Sequence, residues 1–434
     1  MCPSVWAWLM NNRGRAAFGI LFQWIAIAGA LAYAFSLYVA NLIAWPANIS
    51  VQQWWGSELA IRYCQGFVRR GIFGQIAWQL GGWLGRQQHY VLALSLVMAL
   101  AVLAVGIWLG WLLVRRCGWR LGLLILAAPV GWPVLLESAG STFRKDPLQI
   151  LLGLLLLWIC HQRVRGRSLR AAPAAWFLLA VVQVFAVLNH EPFALLILPV
   201  LAIAALGVRR DWSRALMATS PGLLAFLLAV WNKGTTSQVA CLRDDLQRLG
   251  LLGPTEMPGS SITELALSRP SFFTWDLSAS QLGWTLLHGL AMSLVAVLAY
   301  ALVVGMGSSS ASASGSPPLV RAIRLWTVQL AVASPLLLTT VDYGRWFAML
   351  FCAGLGLLLV GRPEPTRQIN VGPILSSGGL FAVALAGLEL VLLPTGCCTY
   401  EAAHIMAVIP YAAASHWKAL VLGMLAKVPL LSPH

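Results

Sequence analysis

Arg62, Arg69 and Arg70 fall within one short stretch, RYCQGFVRRGIFG. A guanidinium is permanently charged and forks onto phosphate oxygens, so such a trio suits a phosphate or diphosphate group. The competing account is a set of arginines that snorkel to lipid phosphates from an interfacial helix. Gly66, Gly71 and Gly74 in the same stretch imply close backbone packing around the trio.

Three further polar clusters carry comparable chemistry. Arg144 and Lys145 precede Asp146-Pro147, shortly after Glu137. Asp-Pro is a common helix start, with the acid as cap, but capping does not call for the basic pair, which is free to hold an anion. His190-Glu191-Pro192 has the same helix-start grammar. Glu191 serves as a cap or as the partner of His190, and a histidine beside a carboxylate can act as a general base. Its bland alternative is a buried, hydrogen-bonded histidine. In DYGRW, Asp342 and Arg345 share a helix face and can pair, while Tyr343 and Trp346 offer platforms of the kind on which sugars stack.

Two acidic features stand apart. Glu58 is the only acid between residues 41 and 88 and precedes the arginine trio, which makes it a candidate base or a solvated loop residue. Asp244-Asp245 offers carboxylate oxygens to a divalent ion, or forms the wet face of an amphipathic helix in CLRDDLQRLGLLGP.

These side chains must be positioned by apolar helices. Hydrophobic residues make up 59% of the 434-residue chain, charged residues 10%, and the mean hydropathy is +0.78, which excludes an ordinary soluble domain. The net charge of +15 invites a nucleic-acid reading, but the basic residues sit in short loops between apolar runs, so nucleic acid is not an expected partner. The sequence predicts an all-α polytopic membrane protein with about 11 spans at ~20 residues each. The runs lie at 17–40, 89–114, 121–137, 147–161, 172–188, from 192 onward, 215–232, 283–305, 325–341, 346–361 and 371–394. The first is too long, and lacks a small-residue cleavage site, to read as a removable signal.

The whole chain, 1–434, reads as one transmembrane domain. Residues 41–88 form an outer loop in which VQQWWGSELA and GIFGQIAWQLGGWLG are short, Trp-rich helices lying at the interface. Residues 233–282 form a second large outer loop, and 306–320, with GSSSASASGSPP, a flexible cytoplasmic linker. The tail from 399 is either a further span or an interfacial helix. With the N-terminus inside, the inner loops take 16 of the 29 Lys and Arg but only two of the 14 acids, Asp211 and Glu364. All four polar clusters then fall outside, where the helices starting near Asp146, Pro192 and Tyr343 direct their positive ends. Cys64, Cys241, Cys397 and Cys398 also fall outside, where a disulfide is permitted but its pairing is not readable.

The layout resembles the GT-C superfamily of membrane glycosyltransferases, which use polyprenyl-phosphate sugars. The resemblance rests on the large first outer loop with two interfacial helices, the acid within it, and the outward-facing site on about 11 spans. In that superfamily an acid of this loop is the base or metal ligand, and basic residues bind the lipid phosphate; Glu58 is the matching acid. The Asp-Asp or Asp-x-Asp pattern common there is absent from this loop. The layout is also similar to bacterial O-antigen polymerases and ligases, whose outward Arg and His residues handle undecaprenyl-pyrophosphate glycans. Arg69, Arg70, Arg144, His190 and Arg345 would fit that chemistry without a metal.

The resulting expectation is a glycosyltransferase or glycan polymerase at the outer face of a bacterial inner membrane. Its partners are a lipid-linked sugar donor, a glycan acceptor and membrane lipids. Glu58, His190, Glu191 and Asp342 are the candidate catalytic groups, and Arg62, Arg69, Arg70, Arg144, Lys145 and Arg345 the candidate binding groups. No metal ligand is assigned, and a divalent metal is the one cofactor left open. A transporter or flippase for an anionic lipid-linked substrate is the first alternative. It calls for an internal repeat and charges deep in the spans, where Glu389 is the main example. A noncatalytic membrane scaffold is the second.

Overall fold

The structure, a computed structural model, describes residues 12–45, 49–137, 139–164, 173–206, 211–232, 234–266, 278–306, 316–339, 343–360 and 377–392. Among these residues the fold is helical, with no strand. The helices that matter here are α1 (Asn12–Ile43), α2 (Trp54–Ala60), α3 (Ile72–Trp83), α4 (Tyr90–Leu126), α5 (Asp146–Ile159), α6 (Pro173–Asn189) and α7 (Pro192–Leu196). They continue with α8 (Leu198–Leu206), α9 (Trp212–Trp231), α10 (Thr236–Arg248), α11 (Ala279–Gly305), α12 (Pro318–Thr339), α13 (Tyr343–Val360) and α14 (Ser377–Val391). The linker's residues 307–315, the tail from 399 and Asp342 lie outside the described residues.

Among the described residues, five helical segments are long and apolar enough to cross a membrane: Ala17–Ile43, Gln87–Leu126, Trp212–Trp231, Gln281–Gly305 and Tyr343–Val360. Pro173–Asn189 and Pro192–Leu206 are apolar but shorter. Helix α13 is buried on every side through Tyr343–Gly356, as expected of a helix that is apolar all round, and packs on α5, α11 and α4.

Two of the expected apolar runs meet within the basic stretch 115–120. The runs at 89–114 and 121–137 meet at Gly118, where φ of 77° and ψ of 165° break the helix and the chain reverses. Residues 110 and 126 would lie far apart on a straight helix, yet a Cβ on Gly110 would come within 3.1 Å of Leu126, and one on Gly122 within 2.8 Å of the Val114 backbone. The second arm stops at Leu126 and gives way to a short 3-10 turn, Trp132–Leu135, whose Trp132 Nε1 donates to the Val102 carbonyl at 2.9 Å. Pro133 lies within that turn and cannot supply a ladder N–H.

The segments around α2, the arginine loop and α10 fold into a cap with its own core, in which Leu59, Ile61 and Val68 pack with Tyr90, Leu94, Met98, Leu242, Leu246 and Ile262. Helix α2 is tucked into this cap, with Gly56–Ala60 buried, rather than lying open at an interface. Helix α3 exposes Ile76, Leu80 and Trp83. The acid-rich stretch is indeed amphipathic: α10 starts with a capping box between Thr235 and Gln238 and buries Leu242 and Leu246.

A disulfide between Cys64 and Cys241, with Cα atoms 6.0 Å apart, fastens the arginine loop to α10. Arg62 pairs with Asp245 beside it, and Gln238 Nε2 donates to the Phe67 carbonyl at 3.1 Å. Cys241→Ser is expected to lower stability by about 2–4 kcal/mol and to open residues 61–71 to limited proteolysis. A wild-type unfolding midpoint and cleavage pattern would contradict this account of the clamp.

Candidate functional site

Three stretches distant in sequence meet: α2 with the arginine loop that follows it, the 144–146 start of α5, and the 189–191 turn between α6 and α7, with the first turn of α13 beside them. Their side chains form a line in which basic and acidic groups alternate. Arg144 Nε donates to Glu58 Oε2 at 3.1 Å. Glu58 Oε1 lies 3.6 Å from His190 Nδ1, and His190 Nε2 lies 3.5 Å from Asp146 Oδ1. Arg345 then closes on Asp146 with both arms of its fork, at 2.5 and 2.9 Å. All five side chains are buried, and Glu58 is fully enclosed.

A second group lies against this line. Arg70 Nε donates to Glu191 Oε2 at 2.6 Å, and Arg69 Nε stands 3.8 Å from Glu191 Oε1. Lys145 is fully buried, and its ammonium donates to the carbonyls of Arg70 at 2.8 Å and Asn189 at 3.4 Å. Arg70 itself sits at φ 65°, the left-handed region that a side-chain-bearing residue adopts only when its surroundings impose it. The Lys145 bond to its carbonyl is one such constraint. Gly74 supplies another, since a Cβ there would come within 2.0 Å of the Ile61 carbonyl oxygen, so the loop can close on α3 only at a glycine.

Local sequence explains the placement. Helix α2 is held inward by Tyr90, whose hydroxyl donates to the Ala60 carbonyl at 2.9 Å, and by contact between the Ser57 and Ser261 hydroxyls. Lys145 and Glu191 occupy the N-cap positions of α5 and α7, yet neither makes a side-chain cap bond. Asp146 is the first residue of α5 and turns its carboxylate to Arg345 instead. The helix-start grammar therefore describes the backbone but not the role of these side chains.

Burial by itself pushes the Glu58 carboxyl up, but Arg144, His190, Lys145 and Arg70 pull it down to about 2. Glu191 is likewise raised by burial and pulled down, chiefly by Arg70 and Arg69, to about 2. Burial lowers Lys145 to about 8, partly opposed by Glu58. The unfolded chain keeps this lysine protonated up to about 10.5, so the native state binds fewer protons between the two values. The penalty for enclosing the ammonium is full below pH 8 and is relieved as pH rises toward 10.5. The gap in unfolding midpoint between wild type and Lys145→Met is therefore expected to move in favour of wild type between pH 7.5 and 10; a pH-independent gap would contradict it.

The structure brings together Glu58, Arg69, Arg70, Arg144, Lys145, His190, Glu191 and Arg345. Arg62 goes elsewhere: it pairs with Asp245 and stacks 3.8 Å over the Trp78 ring, as part of the clamp on α10. Gln65 at φ 58° and Gly66 at φ 116° turn the backbone between Arg62 and the other two arginines. Tyr343 and Trp346 are buried in the main core rather than presenting open faces. Asp146 is the central residue that the sequence undervalued, because a cap explained it. Asn189 and Gln149 were not singled out; both are fully buried, with side-chain amides that no described residue satisfies.

Three features bear on metal binding. Asp245 is buried between Arg62 and Arg248 while Asp244 is largely exposed beside Arg243, so the adjacent carboxylates diverge. Cys64, Cys241 and Asp245 lie close together, but the two sulfurs are bonded to each other. The central acids Glu58, Asp146 and Glu191 are each engaged by arginine, an environment that already compensates their charge. Comparison with protein-family models, curated proteins and solved structures gives no match to this chain.

Proposed function

We propose that this cluster transfers or polymerises glycans at the outer face of a bacterial inner membrane, taking its sugar from a polyprenyl phosphate or diphosphate. The single observation that carries the reading is the convergence of Arg69, Arg70, Arg144, Lys145 and Arg345 around Glu58 and His190 from separate parts of the chain. The residues named carry five cations against three carboxylates, Glu58, Asp146 and Glu191, an arrangement suited to an anionic ligand. The proposed topology is one of about 11 crossings with the N-terminus inside. The Cys64–Cys241 bond, which persists in oxidising compartments, favours an outward-facing cap.

In this mechanism Arg69, Arg70 and Lys145 hold the donor phosphate, and Arg144 stabilises the charge that grows on it as it leaves. The acceptor hydroxyl oxygen bonds to the anomeric carbon, and the bond from that carbon to the phosphate oxygen breaks. The hydroxyl proton passes to Glu58, which His190 adjoins, while Asp146 and Arg345 fix the imidazole. A carboxylate held at about 2 is a weak base. A bound phosphate cancels charge on Arg70 and Lys145, two of the groups that hold Glu58 down, so donor binding itself raises its basicity. Asn189 and Gln149 carry buried amides of the kind that read sugar hydroxyls.

The test is to make Arg70→Ala, Arg144→Ala and His190→Ala singly, match membrane levels, and profile surface glycans and polyprenyl-linked sugars. Loss of glycan with lipid-linked donor accumulating in the outer leaflet is expected. Donor trapped in the inner leaflet would replace this reading with a flippase. Unchanged pools in all three variants would leave a noncatalytic scaffold.

A further inference from the structure

Glu191 differs from the other two acids of the cluster. Glu58 and Asp146 are enclosed with their arginines, whereas Glu191 lies on the two arginines nearest to solvent: the side chains of Arg69 and Arg70 are 25% and 22% exposed, against at most 8% for Arg144 and Arg345. Among the described residues Glu191 is the only acid in ion-pair range of Arg69 or Arg70. From this geometry we propose that Glu191 occupies an anion site built by Arg69 and Arg70, and that a phosphate or diphosphate group enters by displacing its carboxylate. The inference rests on reading the cluster as a phosphate site, and it adds which contact must break before the donor can bind.

Three observations support the exchange. Glu191 makes no side-chain cap bond to α7, so the helix start does not depend on its carboxylate staying in place. The Arg70 backbone is set by its left-handed turn and by the Lys145 hydrogen bond to its carbonyl, neither of them a contact with Glu191, so that backbone stays placed once the carboxylate leaves. A phosphate group offers more acceptor oxygens and more charge than one carboxylate, and can engage both forks at once. The carboxyl of Glu191, held low by Arg70 and Arg69 despite its burial, stays ionised at neutral pH and so competes continuously.

The experiment titrates the purified full-length chain in detergent with inorganic pyrophosphate at fixed ionic strength, by calorimetry. If the Glu191-bound form dominates, Glu191→Gln should bind at least about tenfold more tightly than wild type, because the competent fraction rises. Arg70→Ala should abolish binding in either background. Equal or weaker binding by a Glu191→Gln protein with a wild-type unfolding midpoint would overturn the proposal, and would make Glu191 a part of the site instead of its occupant. Should that variant unfold, wild type decides: pyrophosphate is expected to protect Arg69 and Arg70 from phenylglyoxal, and no protection would overturn the proposal. Tighter pyrophosphate binding in a chain that transfers no sugar would retain the displacement and remove the glycosyl-transfer reading. Transfer that Arg70→Ala abolishes, with no tightening in Glu191→Gln, would do the reverse.

Discussion

Glu58→Gln is expected to lower the rate of sugar transfer by about 10²–10⁴-fold, the usual contribution of a positioned acid–base group. Gln preserves the size of the side chain and an oxygen for Arg144, which donates to Glu58 at 3.1 Å, so donor binding should change far less than turnover. The carboxylate is the only acid between residues 41 and 88 and is wholly enclosed, with His190 at 3.6 Å on its other oxygen. A variant that binds pyrophosphate as wild type does but turns over normally would remove Glu58 from the chemistry and pass the role of base to His190.

Arg345→Ala is expected to destabilise the protein by about 3–5 kcal/mol, because it strands a buried carboxylate. Asp146 is about 1% exposed and takes both arms of the Arg345 fork. Without that arginine it keeps His190 at 3.5 Å and the more distant charge of Arg144, but no bidentate partner. The outcome to look for is a large fall in unfolding midpoint and in membrane level, unlike Arg70→Ala, whose side chain is partly solvated. Replacing the pair together, Arg345→Met with Asp146→Leu, should recover most of the stability and none of the activity, since apolar groups of similar volume can stand in for a buried ion pair. Equal stability of the single variant and wild type would show that the pair is not the strut between α5 and α13.

Much of this cluster was legible because helices cross from side to side. Once apolar runs are drawn and Arg-rich loops placed together, Arg144, His190 and Arg345 fall at the ends of runs assigned to one side, and Glu58 in the loop between the first two runs. Length, hydropathy and the Arg-rich loops place them there. The direction of a side chain is not carried by such patterns. Arg62 lies seven residues from Arg69, yet the positive φ values at Gln65 and Gly66 send it to Asp245 and Trp78. Asp146 and Glu191 both match the grammar of a helix cap, but tertiary arginines outcompete the local N–H groups for their carboxylates. The turn at Gly118, by contrast, was legible, because the basic stretch 115–120 separates two apolar runs. The pairing of Cys64 with Cys241, 177 residues apart, depends on how the cap folds and could not be counted from spacing.

The most direct test of the central claim is the release of polyprenyl phosphate or diphosphate in proteoliposomes containing only this chain, lipid-linked sugar extracted from cells, and glycan acceptor. The account predicts release coupled one-for-one to acceptor elongation in wild type, and neither event in Glu58→Gln at the same protein level. Donor that crosses the bilayer without being consumed, or release that continues unchanged in Glu58→Gln, would contradict it.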